Sequence, residues 1–125
     1  TAPIEAADEN NEKGFLTRSG IQFLFNDEKK SVSITTPGGR SIIINDDDEE
    51  IHVDDNGTSS VSLTSDGIAL DSSGAITIQA KGDLNLEGQN ISIKAQQELK
   101  AEGAAGAELS TSAIAVLKGS LVQIN

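Results

Sequence analysis

At 125 residues the chain has the length of one domain, yet its only aromatic residues are three Phe, and it has no Cys, Met, Trp or Tyr. That composition argues against a thick aromatic core, and the lack of Cys leaves the redox compartment open. A net charge of −11 argues against binding to nucleic acid or to an anionic membrane surface.

Residues 1–13 are polar and acidic and read as a linker or truncated arm. Residues 14–25 predict a strand pair, Phe15–Ser19 and Ile21–Phe25, bent at Gly20. The cluster Asn26-Asp27-Glu28-Lys29-Lys30 predicts a turn. Strand Ser31–Thr36 follows, then the turn signal Pro37-Gly38-Gly39, then strand Arg40–Asn45.

From Val32 the motif apolar–any–apolar recurs: Val32/Ile34, Ile42/Ile44, Ile51/Val53, Val61/Leu63, Ile68/Leu70, Ile76/Ile78, Leu84/Leu86, Ile91/Ile93, Leu99/Ala101, Ala107/Leu109, Ile114/Val116 and Val122/Ile124. The first starts are spaced 10, 9 and 10 residues, which implies long corners or an antiparallel meander. From Val61 the spacing tightens to 7, 8, 8, 7, 8, 8, 7 and 8. A fixed short period signals a repeat architecture. Two apolar residues of one parity make a short strand with one buried face. Asp66-Gly67, Ser73-Gly74, Lys81-Gly82 and Gly88 sit where sharp corners are needed. The Ala-rich stretch 97–110 keeps the period, so it reads as strand and not helix.

About eight residues cannot close a solenoid coil alone, and a repeat unit needs a neighbour to cover it. Three chains, each supplying one side of a triangle, close the coil. The predicted fold is therefore all-β: an intertwined homotrimeric triple-stranded β-helix, or β-prism needle, at 59–125, with a wider β collar at 14–58. The needle core would be Val61, Leu63, Ile68, Leu70, Ile76, Ile78, Leu84, Leu86, Ile91, Ile93, Leu99, Ala107, Leu109, Ile114 and Val116. Leu121, Val122, Gln123, Ile124 and Asn125 would form the distal surface. Residues 1–79 carry a net charge of −10 and residues 80–125 only −1, so the C-terminal part is the better candidate for meeting a membrane.

Three stretches carry a family likeness: Glu87-Gly88-Gln89-Asn90-Ile91-Ser92-Ile93-Lys94-Ala95, Lys100-Ala101-Glu102-Gly103-Ala104-Ala105-Gly106-Ala107-Glu108, and Leu117-Lys118-Gly119-Ser120-Leu121-Val122-Gln123-Ile124-Asn125. With Thr17-Arg18-Ser19-Gly20 and Thr36-Pro37-Gly38-Gly39-Arg40, the chain from residue 14 onward resembles the C-terminal needle of valine-glycine repeat spike proteins. Those proteins belong to type VI secretion systems, contractile injection systems and phage baseplates. The resemblance implies a trimeric membrane-puncturing spike driven by a contracting sheath. It implies a conical PAAR-type tip protein docked on Leu121–Asn125, base or baseplate domains on the N-terminal side, and transient contact with the target membrane. It also implies assembly in the bacterial cytoplasm followed by delivery outward. The larger base and OB-like domains of such a spike are not in this sequence. No signal peptide and no transmembrane helix are expected.

The remaining site candidates favour ordinary readings. His52, the sole histidine, lies between Ile51 and Val53 and is expected to face away from the core as a surface residue, not as an axial metal ligand. The acidic runs Asp46–Glu50 and Asp54–Gly57 offer oxygens but lack EF-hand or nonapeptide calcium spacing, so they read as solvated corners. No nucleophilic Ser–His–Asp setting and no phosphate-binding loop are predicted, and no enzyme activity, metal or cofactor is expected. The alternative reading is a trimeric fibre or adhesin-like module that recognises a surface glycan or receptor.

Overall fold

The computed structural model describes residues 11–125. The chain divides into two units, one ending at Lys81 and one spanning Gly82–Asn125.

The first unit is a seven-stranded antiparallel sheet: β1 (Glu12–Leu16), β2 (Gln22–Asn26), β3 (Ser31–Thr35), β4 (Ser41–Asn45), β5 (Glu50–Asp54), β6 (Ser59–Thr64) and β7 (Gly67–Ser72). Its order is β1-β2-β3-β4-β5-β6-β7, so every strand pairs with its neighbour in sequence. Of the two readings of the looser N-terminal period, long corners or a meander, the sheet is the meander: a nine- or ten-residue spacing holds a five-residue strand and a four- or five-residue corner.

The corners are local hydrogen-bonded turns. Thr17 N donates to Ile21 O at 2.9 Å and Gly20 N to Thr17 O at 3.0 Å, with Gly20 at φ 97°. Gly39 N donates to Thr36 O at 2.9 Å, closing the Pro37-Gly38-Gly39 corner. Asn45 caps the acidic corner, its Oδ1 accepting from Asp48 N at 3.1 Å. The two corners on either side of the β4–β5 hairpin meet: Asn56 Nδ2 donates to Gly38 O at 2.9 Å. A Cβ on Gly39, itself at φ 86°, would lie 2.7 Å from that same Asn56 nitrogen. Gly39 is thus required twice, by its backbone angle and by the side chain it faces.

The register places the paired apolar positions on one side. One row runs Phe15–Phe23–Ile34–Ile42–Val53–Val61–Leu70 across all seven strands. A second runs Phe25–Val32–Ile44–Ile51–Leu63–Ile68 across β2–β7. Directly opposed residues of an antiparallel pair share a face, so both rows lie on the same face. The other face carries Ser33, Ile43, His52 and Ser62 in one row and Thr35, Ser41, Asp54, Ser60 and Asp71 in the next. At the β1–β2 end, Phe15 and Phe23 meet edge-on at 6.5 Å and Phe23 and Phe25 stack obliquely at 5.1 Å.

Self-pairing continues through β6 and β7, past the expected 58/59 boundary, and stops at Ser72. The last backbone–backbone bond among the described residues is Ser73 N to Thr58 O at 2.8 Å. From there the chain bends at 73–74, 81–82, 89–90, 96–97, 104–105, 112–113 and 120–121. These bends recur every seven or eight residues, and each apolar pair from Ile76/Ile78 to Val122/Ile124 begins one or two residues after one. At the 104–105 bend a Cβ on Gly103 would collide with the Gly106 carbonyl, so only glycine fits there.

Gly39→Ala is expected to destabilise the sheet by roughly 1–2 kcal/mol, through the left-handed backbone and the loss of the Asn56–Gly38 bond. A denaturant midpoint matching the unmodified chain would contradict this account of the corner.

Candidate functional site

The most conspicuous surface is the two-row apolar face. No described residue is buried, and Ile42, Ile44, Ile51, Val53 and Leu63 stand 39–45% exposed, while Ile68 reaches 78%. Isolated apolar residues on a surface are ordinary, whereas two unbroken rows on one face make a contiguous apolar patch. Near the β3–β4 corner the face forms an open concavity of about 450 Å³, floored by Ile34, Ile42, Val53, Val61 and Leu70.

The expected needle core divides between the two units. Val61, Leu63, Ile68 and Leu70 lie in the two rows on β6 and β7. Ile76 and Ile78 follow in the stretch between the 73–74 and 81–82 bends. In the second unit, Leu84, Leu86, Ile91, Ile93, Leu99, Ala107, Leu109, Ile114 and Val116 occupy successive stretches between bends. All are exposed, Leu109 at 95% and Ile114 at 85%. Leu121–Asn125 are exposed as well, with Ile124 at 84%. No strand, helix or within-chain ladder joins these stretches among the described residues. Their backbone amides and carbonyls therefore lack partners from their own chain's ladders, while their apolar pairs remain open.

The polar face holds a second arrangement. His52 is half-buried; its Nδ1 lies 2.8 Å from Ser62 Oγ and 3.5 Å from Glu50 Oε1. Its Nε2 lies 3.4 Å from Asp54 Oδ2. Residues two apart on a strand share a face, which puts both carboxylates beside the ring, and the β5–β6 register brings Ser62 opposite His52. As expected from parity, His52 faces away from the apolar rows. Its carboxylates sit at opposite nitrogens and cannot converge on one ion. Among the described residues no group of three His, Cys, Asp or Glu is placed to hold a metal. The Ser62–His52–Asp54 alignment has the residue types of a catalytic triad. β6 lies between β5 and β7, so its own amides serve the two ladders. The group ties β5 to β6.

The acidic corner between β5 and β6 uses its carboxylate oxygens internally, and in the Asp46–Glu50 corner Asp48 Oδ2 accepts from Asn45 Nδ2 at 3.1 Å. Asp54 Oδ1 accepts from Asn56 N at 2.7 Å and Gly57 N at 3.2 Å, and Asp55 Oδ1 accepts from Thr58 N and Ser59 N. The amides of Asn56 and Gly57 hold the Asp54 carboxyl below its ordinary value; desolvation opposes them, and His52 adds to the lowering. Strand alternation places Glu50 and Asp54 beside His52; the Ser62 contact depends on cross-strand register, which sequence alone does not supply.

No known protein-family model matches the chain. No curated protein matches it either. Neither comparison assigns the chain to a family.

Because folding depresses the Asp54 pKa, its hydrogen bonds stabilise the corner above the unfolded carboxylate value, about 3.9, and are lost as pH falls through the lower folded value. Acid titration followed by NMR should move the Asn56 and Gly57 amide signals together, with a midpoint below that of a free aspartate. A midpoint at the ordinary value would show that these amides do not hold the carboxylate.

Proposed function

We propose that this chain is one of three identical chains of a β-prism that serves as the structural spike of a contractile injection machine. The observation that carries the reading is the second unit's backbone. It bends every seven or eight residues, puts one apolar pair in each stretch, and has no ladder of its own. Such a chain acquires hydrogen-bond partners and a covered apolar face only from other chains. Threefold closure fits, because units of about eight residues supply one side each of a triangular coil.

Surface area supports the same reading. The chain exposes 11629 Å², against roughly 6300 Å² for a compact monomer of 13.0 kDa. The excess, on the order of 5000 Å² per chain, is of the size that obligate assemblies cover. The two apolar rows of β1–β7 would become the inner faces of the collar, and the pairs from Ile76 to Ile124 would line the needle.

The mechanical role follows from that closure. A rod whose strands are all paired has no sheet edge along its length and transmits axial force without local unfolding. The piercing role, the PAAR-type tip partner and the base on the N-terminal side are taken from the resemblance of 88–125 to spike needles. In this reading Leu121–Asn125 form the platform that receives the tip, and the protein is not an enzyme.

Light scattering is expected to give three times the 13.0 kDa chain mass. A folded species at one chain mass would remove the trimer. Within the needle, Ile78→Asp or Ile93→Asp should abolish assembly, since symmetry would bring three carboxylates into one dry layer. Thr77→Asp and Ser92→Asp should be tolerated, and equal effects at both parities would mean the inward face is misassigned. Deleting Leu121–Asn125 should leave the trimer intact but unable to capture a PAAR-type cap. Retained capture would place the docking surface elsewhere.

A further inference from the structure

The corner joining β5 to β6 contains the dipeptide Asn56-Gly57, the only Asn-Gly in the chain. Asn-Gly is chemically labile because glycine, lacking a Cβ, lets the following amide nitrogen reach the asparagine side chain. The Gly57 nitrogen attacks Asn56 Cγ, the C–N bond of the side-chain amide breaks, and ammonia leaves. The cyclic imide that forms then takes up water at one of its two carbonyls, giving aspartate or isoaspartate. No oxidant or cofactor is needed. Both residues are exposed, so water and base reach them freely.

The structure holds both reacting groups away from this path. The nucleophile is occupied: Gly57 N–H donates to Asp54 Oδ1 at 3.2 Å, and the same oxygen accepts from Asn56 N–H at 2.7 Å. Attack requires that the Gly57 nitrogen lose its proton, and a carboxylate bound to that proton disfavours the loss. The leaving group is tethered as well, since Asn56 Nδ2 donates to Gly38 O at 2.9 Å across to the neighbouring corner. Asn56 itself sits at φ 76°, a left-handed conformation fixed by these bonds.

We propose that Asn56 is a spontaneous deamidation site whose rate is set by the Asp54 carboxylate and the Gly38 carbonyl. While both tethers hold, the site is quiet. Once Asn56 converts, the change is not reversed by refolding. The donor to Gly38 O is replaced by a carboxylate that repels it, and the new charge adds to Asp54 and Asp55. Isoaspartate also lengthens the backbone within the turn. The clip between the β3–β4 and β5–β6 corners is then lost.

The test incubates the full-length folded protein and, in parallel, the same protein unfolded in denaturant, in mildly alkaline buffer. Peptide mass mapping locates deamidation, and methylation by an isoaspartyl methyltransferase reports isoaspartate. Native protein should convert at Asn56 before any other asparagine in residues 11–125, and at least about tenfold more slowly than the unfolded chain. Asp54→Ala, with its sheet intact by circular dichroism, should approach the unfolded rate. Asp54→Asn, which keeps an acceptor oxygen, should remain slower than Asp54→Ala. Should Asp54→Ala fail to fold, hydrogen exchange on the unsubstituted protein decides: the Gly57 amide is expected to be protected. Conversion in the native state as fast as in denaturant, an unprotected Gly57 amide, a folded Asp54→Ala at the unsubstituted rate, or earlier conversion at another of those asparagines would each overturn the proposal.

Discussion

Each of β2–β7 puts its apolar pair on the same side, and among the described residues of the first unit no second layer covers that side. This one-sidedness is the constraint from which the remainder follows. A sheet gains stability by burying a face against something, yet no described residue is buried. The register cannot relieve the problem, because a slip of one residue would exchange Ile42 and Ile44 for Ile43 and carry His52 and Asp54 onto the apolar side. The hydrogen-bonded corners, and above all the Asn56–Gly38 clip, fix the meander so that both rows remain continuous from β2 to β7.

The chain changes its manner of pairing at Ser72. Up to that point each corner returns the strand onto its predecessor, and backbone groups are satisfied at home. Beyond it, two-residue bends redirect the chain without bringing it back beside itself. The apolar pairs keep their period across the change. The apolar period is therefore constant along the chain, while pairing within the chain is not. The trimer proposed above would supply partners from other chains to the stretches beyond Ser72.

The polar face contributes in a different way. His52, Glu50, Asp54 and Ser62 form a small network that crosses from β5 to β6, and Asp54 extends it into the corner through Asn56 and Gly57. Of the carboxylates that look like a cation site in the sequence, Asp54 and Asp55 are turned onto backbone amides. At Asp54 and Asp55 they organise turns, which explains why dense acid coexists with well-formed corners.

Composition and alternation alone determined that the chain is all-β, that the apolar pairs share a face, that His52 lies on the other one, and where the corners fall. These are consequences of period-two geometry and of glycine's access to left-handed backbone, and both are local. The nine- and ten-residue spacings left long corners or a meander open; the meander forms, and it runs on through β7, where the spacing has already tightened to seven. The point where self-pairing ends was not legible, because the spacings 61 to 68 and 68 to 76 look alike on either side of it. The Gly67 turn folds β7 back onto β6, whereas the 73–74 bend does not return the chain, and that difference lies in backbone hydrogen bonds and not in residue periodicity. Nor could the sequence place Ser62 against His52 or Asn56 against Gly38. Those contacts join residues 10 and 18 positions apart, and only the cross-strand register brings them together.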